Sequence, residues 1–263
     1  MTTNYHLLQL PAFFLLLVVV VLFAGLSAAI TVLYRRCMMP APRIKYSGTL
    51  GHIYGLVGGI YGLLIGFVTV LVWGDYNDTQ TNASKEESLA TCLYREINYF
   101  PDTLKAQPLK TAYLQFVHSV VEREYPKMQR MEIFSEVDRE PIDEVYRQFE
   151  LLNTSDIRSD KMLAHLDELA LYRSLRLTGA QANIPTVIWI PLISGFLILL
   201  TCALLLDIDS IRLHALMNSL LGAVTGLIVY IMLLINYPFS GSMRIEPTQY
   251  KIILQMEKTP SSP

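Results

Sequence analysis

The chain has 263 residues, of which 52% are hydrophobic and only 17% are charged, whereas about 25% of an average soluble protein is charged. The formal net charge of −2 excludes the strongly basic surface that is typical of nucleic-acid binding. The three cysteines, Cys37, Cys92 and Cys202, are too few and too scattered for a disulfide framework or a zinc site. The composition therefore predicts a membrane protein, with the lipid bilayer as its first partner and no nucleic-acid partner.

The first apolar segment, residues 11–31, has the length that a transmembrane helix needs. A cleaved signal peptide is the alternative, because Ser27-Ala28-Ala29 resembles a cleavage site. However, no Lys or Arg precedes the segment, and it exceeds the roughly 7–15 residues of a signal-peptide core. We expect a retained first span.

The second apolar segment, residues 53–73, carries a stripe of glycines three or four residues apart. Small residues at this spacing let another helix approach closely in a membrane, and a glycine backbone can also line a pore. No proline follows until Pro101, so the helix is expected to continue out of the membrane. The residues expected to pack against a neighbour or to line a pore are Gly55, Gly59, Gly62, Gly66, Phe67, Thr69 and Trp73.

Residues 74–183 form an acidic insert with 13 Lys/Arg against 19 Asp/Glu. Narrow apolar stripes predict an antiparallel helical bundle, and Gly179 is expected to cap its last helix. The predicted helices are 75–99, 108–125, 142–152 and 157–177.

Four carboxylates on the first insert helix, Asp78, Glu86, Glu87 and Glu96, have two interpretations. In an oligomer they form an acidic rim that concentrates cations near the membrane; otherwise they are the solvated face of a helix. The His118/Glu122 and His165/Glu168 pairs have helical spacing, but pairs of this kind are usually solvated. Neither a metal nor another cofactor is therefore expected.

Two further spans follow, residues 185–206 and 213–235, and the tail has a short amphipathic helix at 247–256. The predicted fold is an all-α membrane protein with four transmembrane helices and a soluble helical bundle inserted between spans two and three. The predicted domains are 1–73 and 184–236 in the membrane, the bundle at 74–183, and the tail at 237–263.

The charges flanking the spans predict the orientation in an inner or plasma membrane, because Lys and Arg concentrate in short cytoplasmic loops. The turns 34–51 and 207–212 are dense in basic residues, which places them in the cytoplasm and the insert outside. These residues are Arg35, Arg36, Arg43, Lys45 and Arg212.

The four spans contain no Asp, Glu, Lys or Arg, which argues against a proton pump or an ion-coupled transporter. The sequence also has no visible nucleophile–base pair or metal set, so an enzyme is not expected. Two hypotheses are left: an oligomeric channel with the glycine-rich helix near its axis, and a non-conducting scaffold that docks protein partners through the insert.

Motifs at four separated places resemble the bestrophin-like family of uncharacterised bacterial membrane proteins. They are Leu63–Gly66 with Phe67, Trp73 and Glu87; Val120–Pro126; Ser210–Met217, with Arg212 and His214; and Tyr237-Pro238-Phe239-Ser240-Gly241, followed by Arg244 and Pro247. The family is distantly similar to true bestrophins. That resemblance implies a pentameric anion channel whose second helix lines the pore, and a large domain in the cytoplasm, opposite to the side that the charge count predicts.

Overall fold

A computed structural model describes residues 11–37, 47–132, 138, 140–152, 157–181, 184–206 and 208–258. All secondary-structure elements assigned within these ranges are helical. The all-α prediction is therefore confirmed for these residues. A π-helix, Val120–Glu124, joins α3 to α4. The α-helices are α1 Ala12–Cys37, α2 Ser47–Asn98, α3 Thr103–Ser119, α4 Tyr125–Gln129, α5 Glu140–Leu151, α6 Ile157–Gln181, α7 Thr186–Leu204, α8 Ile211–Ile235 and α9 Thr248–Lys258.

The chain divides into two compact units, with boundaries after residues 74, 182 and 236. The bundle unit comprises the described residues of 75–182 and 237–263, and the apolar unit those of 6–74 and 183–236. Helix α2 contributes to both, since it has 52 residues without a break, or about 78 Å at 1.5 Å per residue. The prediction that the second span continues as the first insert helix is therefore correct.

The apolar unit is built from α1, α7, α8 and the first half of α2. Within the described residues, four helices are long and apolar enough to cross a bilayer. Helices α1 and α8 pack closely: a Cβ added to Gly222 would overlap the Phe23 carbonyl oxygen and the Ser27 hydroxyl, and one added to Gly226 would lie 3.1 Å from Val20 Cα. The small residues of α8 thus bring two helix backbones together, as such residues do in membranes.

The bundle unit has one apolar core, to which α2, α3, α5, α6 and α9 contribute. On α2 the core positions Ala83, Ala90, Leu93 and Ile97 are all buried, and they recur at the three- and four-residue spacing of an amphipathic helix. Helix α9 adds Tyr250 and Ile253, which are 0% and 1% exposed.

Helix α3 differs from the predicted 108–125. It begins at Thr103, because the Asp102 carboxylate caps it by accepting a hydrogen bond from the Lys105 N–H at 3.1 Å. Pro108 therefore lies inside the helix rather than starting it. At the other end the chain continues through the π-helix into α4, which reaches Gln129.

Gly179 was expected to cap α6, and that prediction is wrong. The residue lies within Ile157–Gln181, and a Cβ added to it would lie 2.7 Å from Thr79 Oγ1 on α2. The glycine is needed for the close approach of α6 to α2, not for a left-handed helix end.

Candidate functional site

The glycine face of α2 is exposed in the apolar unit. Gly55, Gly59, Gly62 and Gly66 are all exposed, and a Cβ added to any of them would meet no described atom within 4 Å. Within one chain, this face therefore does not pack against another described helix. Packing within the subunit is therefore not seen among the described residues, and both packing between subunits and pore lining stay predictions.

A different face of α2 makes the contacts within the chain. Tyr61, Ile65 and Val72 are buried, and the Tyr61 hydroxyl donates to the Leu192 carbonyl oxygen of α7 at 2.7 Å. A Cβ on Gly195 of α7 would overlap the Tyr61 ring. At 100° per residue, this packing face lies about 100° around the helix from the glycines.

Of the three other predicted lining residues, Thr69 and Trp73 lie close to the glycine face, whereas Phe67 lies about 100° around α2 from it, on the side away from Tyr61 and Ile65. Phe67 and Trp73 are 64% and 51% exposed. Thr69 is half-buried, and its hydroxyl donates to the Ile65 carbonyl oxygen at 2.9 Å. Because this bond stays within the helix, it satisfies the hydroxyl donor without a neighbouring helix.

The motif residues Arg212 and His214 lie in the first turn of α8 and have different environments. Arg212 is exposed, whereas His214 is fully buried, and its Nε2 lies 2.9 Å from the Ala203 carbonyl oxygen of α7. No hydrogen-bond partner for His214 Nδ1 is found among the described residues.

The segment Tyr237–Gly241 forms a turn in the bundle unit. Pro238 is buried, Gly241 has a positive φ of 78°, which glycine adopts without strain, and the Tyr237 carbonyl oxygen accepts from the Ser240 N–H at 3.0 Å. Phe239 is 2% exposed and packs edge-on against the Tyr125 ring, with centroids 5.8 Å apart. This motif therefore anchors the tail to the π-helix region.

The four carboxylates of the predicted acidic rim lie in different environments. Asp78 is exposed and Glu96 is partly exposed, and His165 of α6 lies 2.9 Å from Glu96. Glu86 and Glu87, in contrast, are only 0% and 7% exposed. These two residues therefore lie neither on a solvated helix face nor on a rim in contact with solvent.

Glu86 belongs to a buried network of charges in the bundle core. Arg176 of α6 donates to Glu86 through Nε at 2.5 Å and through Nη2 at 2.9 Å, and its Nη2 also lies 2.6 Å from Glu124 Oε2. Arg173 donates to Glu124 Oε1 at 2.7 Å. The π-helix turns Glu124 inward, where it joins both arginines.

Electrostatics and an aromatic contact keep the Arg176 guanidinium in its charged form. Although burial alone lowers the pKa of Arg176, the carboxylates of Glu86 and Glu124 raise that pKa well above its usual value. The guanidinium also lies 4.9 Å from the centre of the Tyr125 ring. Burial raises the pKa of Tyr125, so the phenol stays neutral at physiological pH.

This network was not predicted from the sequence, although the spacing of its residues contains the signal. Arg173 and Arg176 continue the buried positions Leu166 and Leu169 of α6 at three- and four-residue steps, and Glu86 lies between the buried Ala83 and Ala90 of α2. When the core positions of two helices carry charged residues of opposite sign, they predict a buried ion pair between those helices.

Polar side chains also line an open cavity of about 670 Å³ on α2 and α6, among them Asn77, Gln80, Ser84, Lys85 and Tyr172. Lys85 Nζ lies 5.1 Å from the centre of the Tyr172 ring.

Within the described residues, no group of three or more His, Cys, Asp or Glu side chains is placed to hold a metal ion. The exposed His118 and Glu122 side chains are 3.5 Å apart.

Comparison with known structures places the fold. A crystal structure of a bacterial bestrophin homologue from Klebsiella pneumoniae with a single substitution aligns with a TM-score of 0.65 at 14% identity, over 93% of this chain and 99% of the other. A second variant of that homologue gives 0.63 at 13% identity, over 92% and 99%. A crystal structure described only as a membrane protein gives 0.64 at 14%, over 93% and 99%.

At these identities the structural likeness establishes the fold alone, and no curated protein matches the sequence. The family assignment rests on the sequence, which matches the Bestrophin-like domain over residues 21–250. Together with the four apolar helices, this match identifies the chain as an integral membrane protein of the bestrophin-like family.

Proposed function

We propose that the chain is one subunit of a homo-oligomeric ion channel in which the α2 helices surround the axis and present their glycine face to the passage. The observation that carries the proposal is that Gly55, Gly59, Gly62 and Gly66 are exposed and contact no described helix of their own chain. A helix of a membrane bundle is expected to use its glycines for close packing, and in this subunit they are left free.

The chemistry of this face suits ion passage without tight binding. In the apolar unit its glycines leave room for a passing ion, while their backbone groups and the Thr69 hydroxyl are already bonded within the helix. The same spacing on α2 continues with the uncharged Asn77, Gln80 and Ser84, and the amide N–H groups of Asn77 and Gln80 can replace part of an anion's hydration shell. The resemblance to bestrophins favours an anion.

The proposed topology has four spans, α1, α7, α8 and the first half of α2, with both termini and the insert on one side of the membrane. The Arg35 guanidinium at the end of α1 donates to the carbonyl oxygens of Ile208 and Asp209 at 2.8 and 3.1 Å. This contact supports placing the α1–α2 and α7–α8 turns on the same side.

The density of basic residues in these turns supports a cytoplasmic location for them and an extracytoplasmic bundle. Cys37 at the end of α1 and Cys92 in the bundle unit are both exposed, so they report on opposite sides. In intact cells, an impermeant thiol reagent should label a chain with Cys92 as its only cysteine and not one with only Cys37. Labelling of Cys37 alone would reverse the proposed orientation.

The channel is tested by reconstituting the purified protein into planar bilayers after its oligomeric state has been measured by mass. We expect oligomers and a current that depends on the ions present. Intact oligomers that carry no current in any salt or at any pH would contradict the proposal.

A silent oligomer would favour the second candidate, a scaffold that docks partners through the bundle. The observation in its favour is a cleft of about 740 Å³ on α3, the π-helix and α5, which is lined by four carboxylates and three basic side chains. They are Glu122, Glu140, Asp143 and Glu144, with His118, Arg123 and Arg147.

A further inference from the structure

The C-terminal helix α9 is held on α2 by two adjacent carboxylates. The Gln249 N–H at the start of α9 donates to Glu87 Oε2 at 2.9 Å, and the Tyr250 hydroxyl donates to Glu86 Oε1 at 2.8 Å. Farther along α9, Glu257 accepts from the Tyr94 hydroxyl of α2 at 3.1 Å. Two successive tail residues are therefore bound by two successive residues of the long helix.

The two carboxylates differ in how their charge is balanced. Glu86 shares Arg176 with Glu124, and Arg173 also pairs with Glu124. Glu87 forms no ion pair with a Lys or Arg among the described residues, although it is only 7% exposed. Three carboxylates therefore face two guanidinium groups, and the uncompensated charge lies on Glu87.

The groups around Glu87 come from several elements. Glu86 lies on its own helix, Arg176 comes from α6, and the amides of Thr248 and Gln249 come from α9, while the buried Tyr125 of α4 is also close enough to interact with it electrostatically. A protonated carboxyl keeps its carbonyl oxygen as an acceptor for the Gln249 N–H. Protonation would thus remove a buried charge without removing the hydrogen bond to α9, and burying a neutral carboxyl costs far less than burying a charged one.

We propose that Glu87 is a proton-binding site whose protonation favours docking of α9 on the bundle unit. The tail then responds to pH: acid tightens its docking, and alkali loosens it. This inference does not depend on whether the chain conducts ions, since it concerns contacts within the bundle unit alone.

The electrostatics agree with this direction. Burial raises the pKa of Glu87 above its usual 4.5, the Gln249 N–H opposes that shift, and the neighbouring Glu86 charge adds to it. A carboxyl whose pKa is higher in the docked state takes up a proton on docking. Its stabilising effect is complete below the undocked pKa and is lost as the pH rises through the docked pKa.

Hydrogen–deuterium exchange of the full-length protein in detergent or nanodiscs tests the proposal on the peptide that covers α9. Between about pH 4.5 and pH 8, and after correction for intrinsic exchange, α9 protection should fall with rising pH by about tenfold for each unit between the docked and undocked pKa. It should then level off. In Glu87→Gln, which is permanently neutral, protection should stay at the acid value of the wild type at every pH.

Glu122→Gln is the matched control, because the Glu122 side chain is 69% exposed; it should keep the wild-type pH dependence. Infrared spectroscopy of the wild type gives a second readout that does not require the variant to fold: a protonated carboxyl band should appear in the pH range in which α9 becomes protected. Protection of α9 that is independent of pH, or an unchanged pH dependence in Glu87→Gln, would overturn the proposal.

Discussion

Arg176 is the side chain on which the buried charges of the bundle depend. It is fully buried and contacts both Glu86 and Glu124. A buried ion pair adds little net stability relative to apolar residues, but the removal of one partner leaves the other charge buried and unpaired. The network therefore specifies how α2, α6 and the π-helix fit together, and its parts are not separable.

Arg176→Met should lower the free energy of unfolding by about 3–5 kcal/mol, because Glu86 and Glu124 would lose their shared cation. Denaturation of the purified protein, followed by circular dichroism, measures the change. Arg147→Met is the control: Arg147 pairs with Glu144 and is 67% exposed, so about 0–1 kcal/mol is expected. Equal losses of unfolding free energy in the two variants would show that the buried network contributes no more to stability than an exposed ion pair.

At the scale of helices, the glycines of α2 and α8 have different roles although both follow a small-residue spacing. Gly222 and Gly226 of α8 are covered by α1, whereas the four glycines of the α2 stripe, Gly55, Gly59, Gly62 and Gly66, are exposed in the single chain. The spacing alone therefore predicts that a helix can be approached closely, and the three-dimensional arrangement decides whether the neighbour belongs to the same chain.

Gly222→Ala should destabilise the apolar unit by about 1–3 kcal/mol, because the new methyl group would overlap the Phe23 carbonyl oxygen of the α1 backbone. Gly62→Ala meets no described atom within 4 Å and should leave stability unchanged or raise it by up to about 1 kcal/mol, since alanine is the better helix former. Thermal unfolding monitored by size-exclusion chromatography measures both. A larger loss in Gly62→Ala than in Gly222→Ala would refute this assignment of the two stripes.

The long helices were predictable because each carries a continuous apolar pattern: the prediction that α2 continues past Trp73 was correct. Boundaries were harder where a side chain and not the pattern decides them, as with the Asp102 cap before α3. Gly179 was misassigned because close contact with Thr79, 100 positions earlier in the chain, favours glycine there. Local sequence does not contain such a contact.

The candidate site, too, was only partly predictable from the sequence. The glycine face of α2 was predictable from the residue spacing, but its exposure was not. That exposure depends on the packing of α2 through a different face, which carries the buried residues Tyr61 and Ile65. Glu86 and Glu87 were expected to contact solvent, as charged residues usually do. Their burial follows from Arg176 and the backbone of α9, which come from distant parts of the chain.

For the whole molecule, the family and one physical feature of α2 together point to the function. The chain belongs to the bestrophin-like family over residues 21–250, and its α2 exposes a row of glycines that its own described helices do not cover. The central claim is that these glycines face an ion passage in a homo-oligomer.

The most direct test records the current through planar bilayers before and after a charged thiol reagent is added. The protein carries Gly62→Cys, with Cys37, Cys92 and Cys202 replaced by alanine. Leu64→Cys is the control, because Leu64 is 37% exposed and lies about 160° around α2 from Gly62. The account predicts that the reagent changes the current of Gly62→Cys and leaves that of Leu64→Cys unaltered; no current from intact oligomers, or the same change in both, would contradict it.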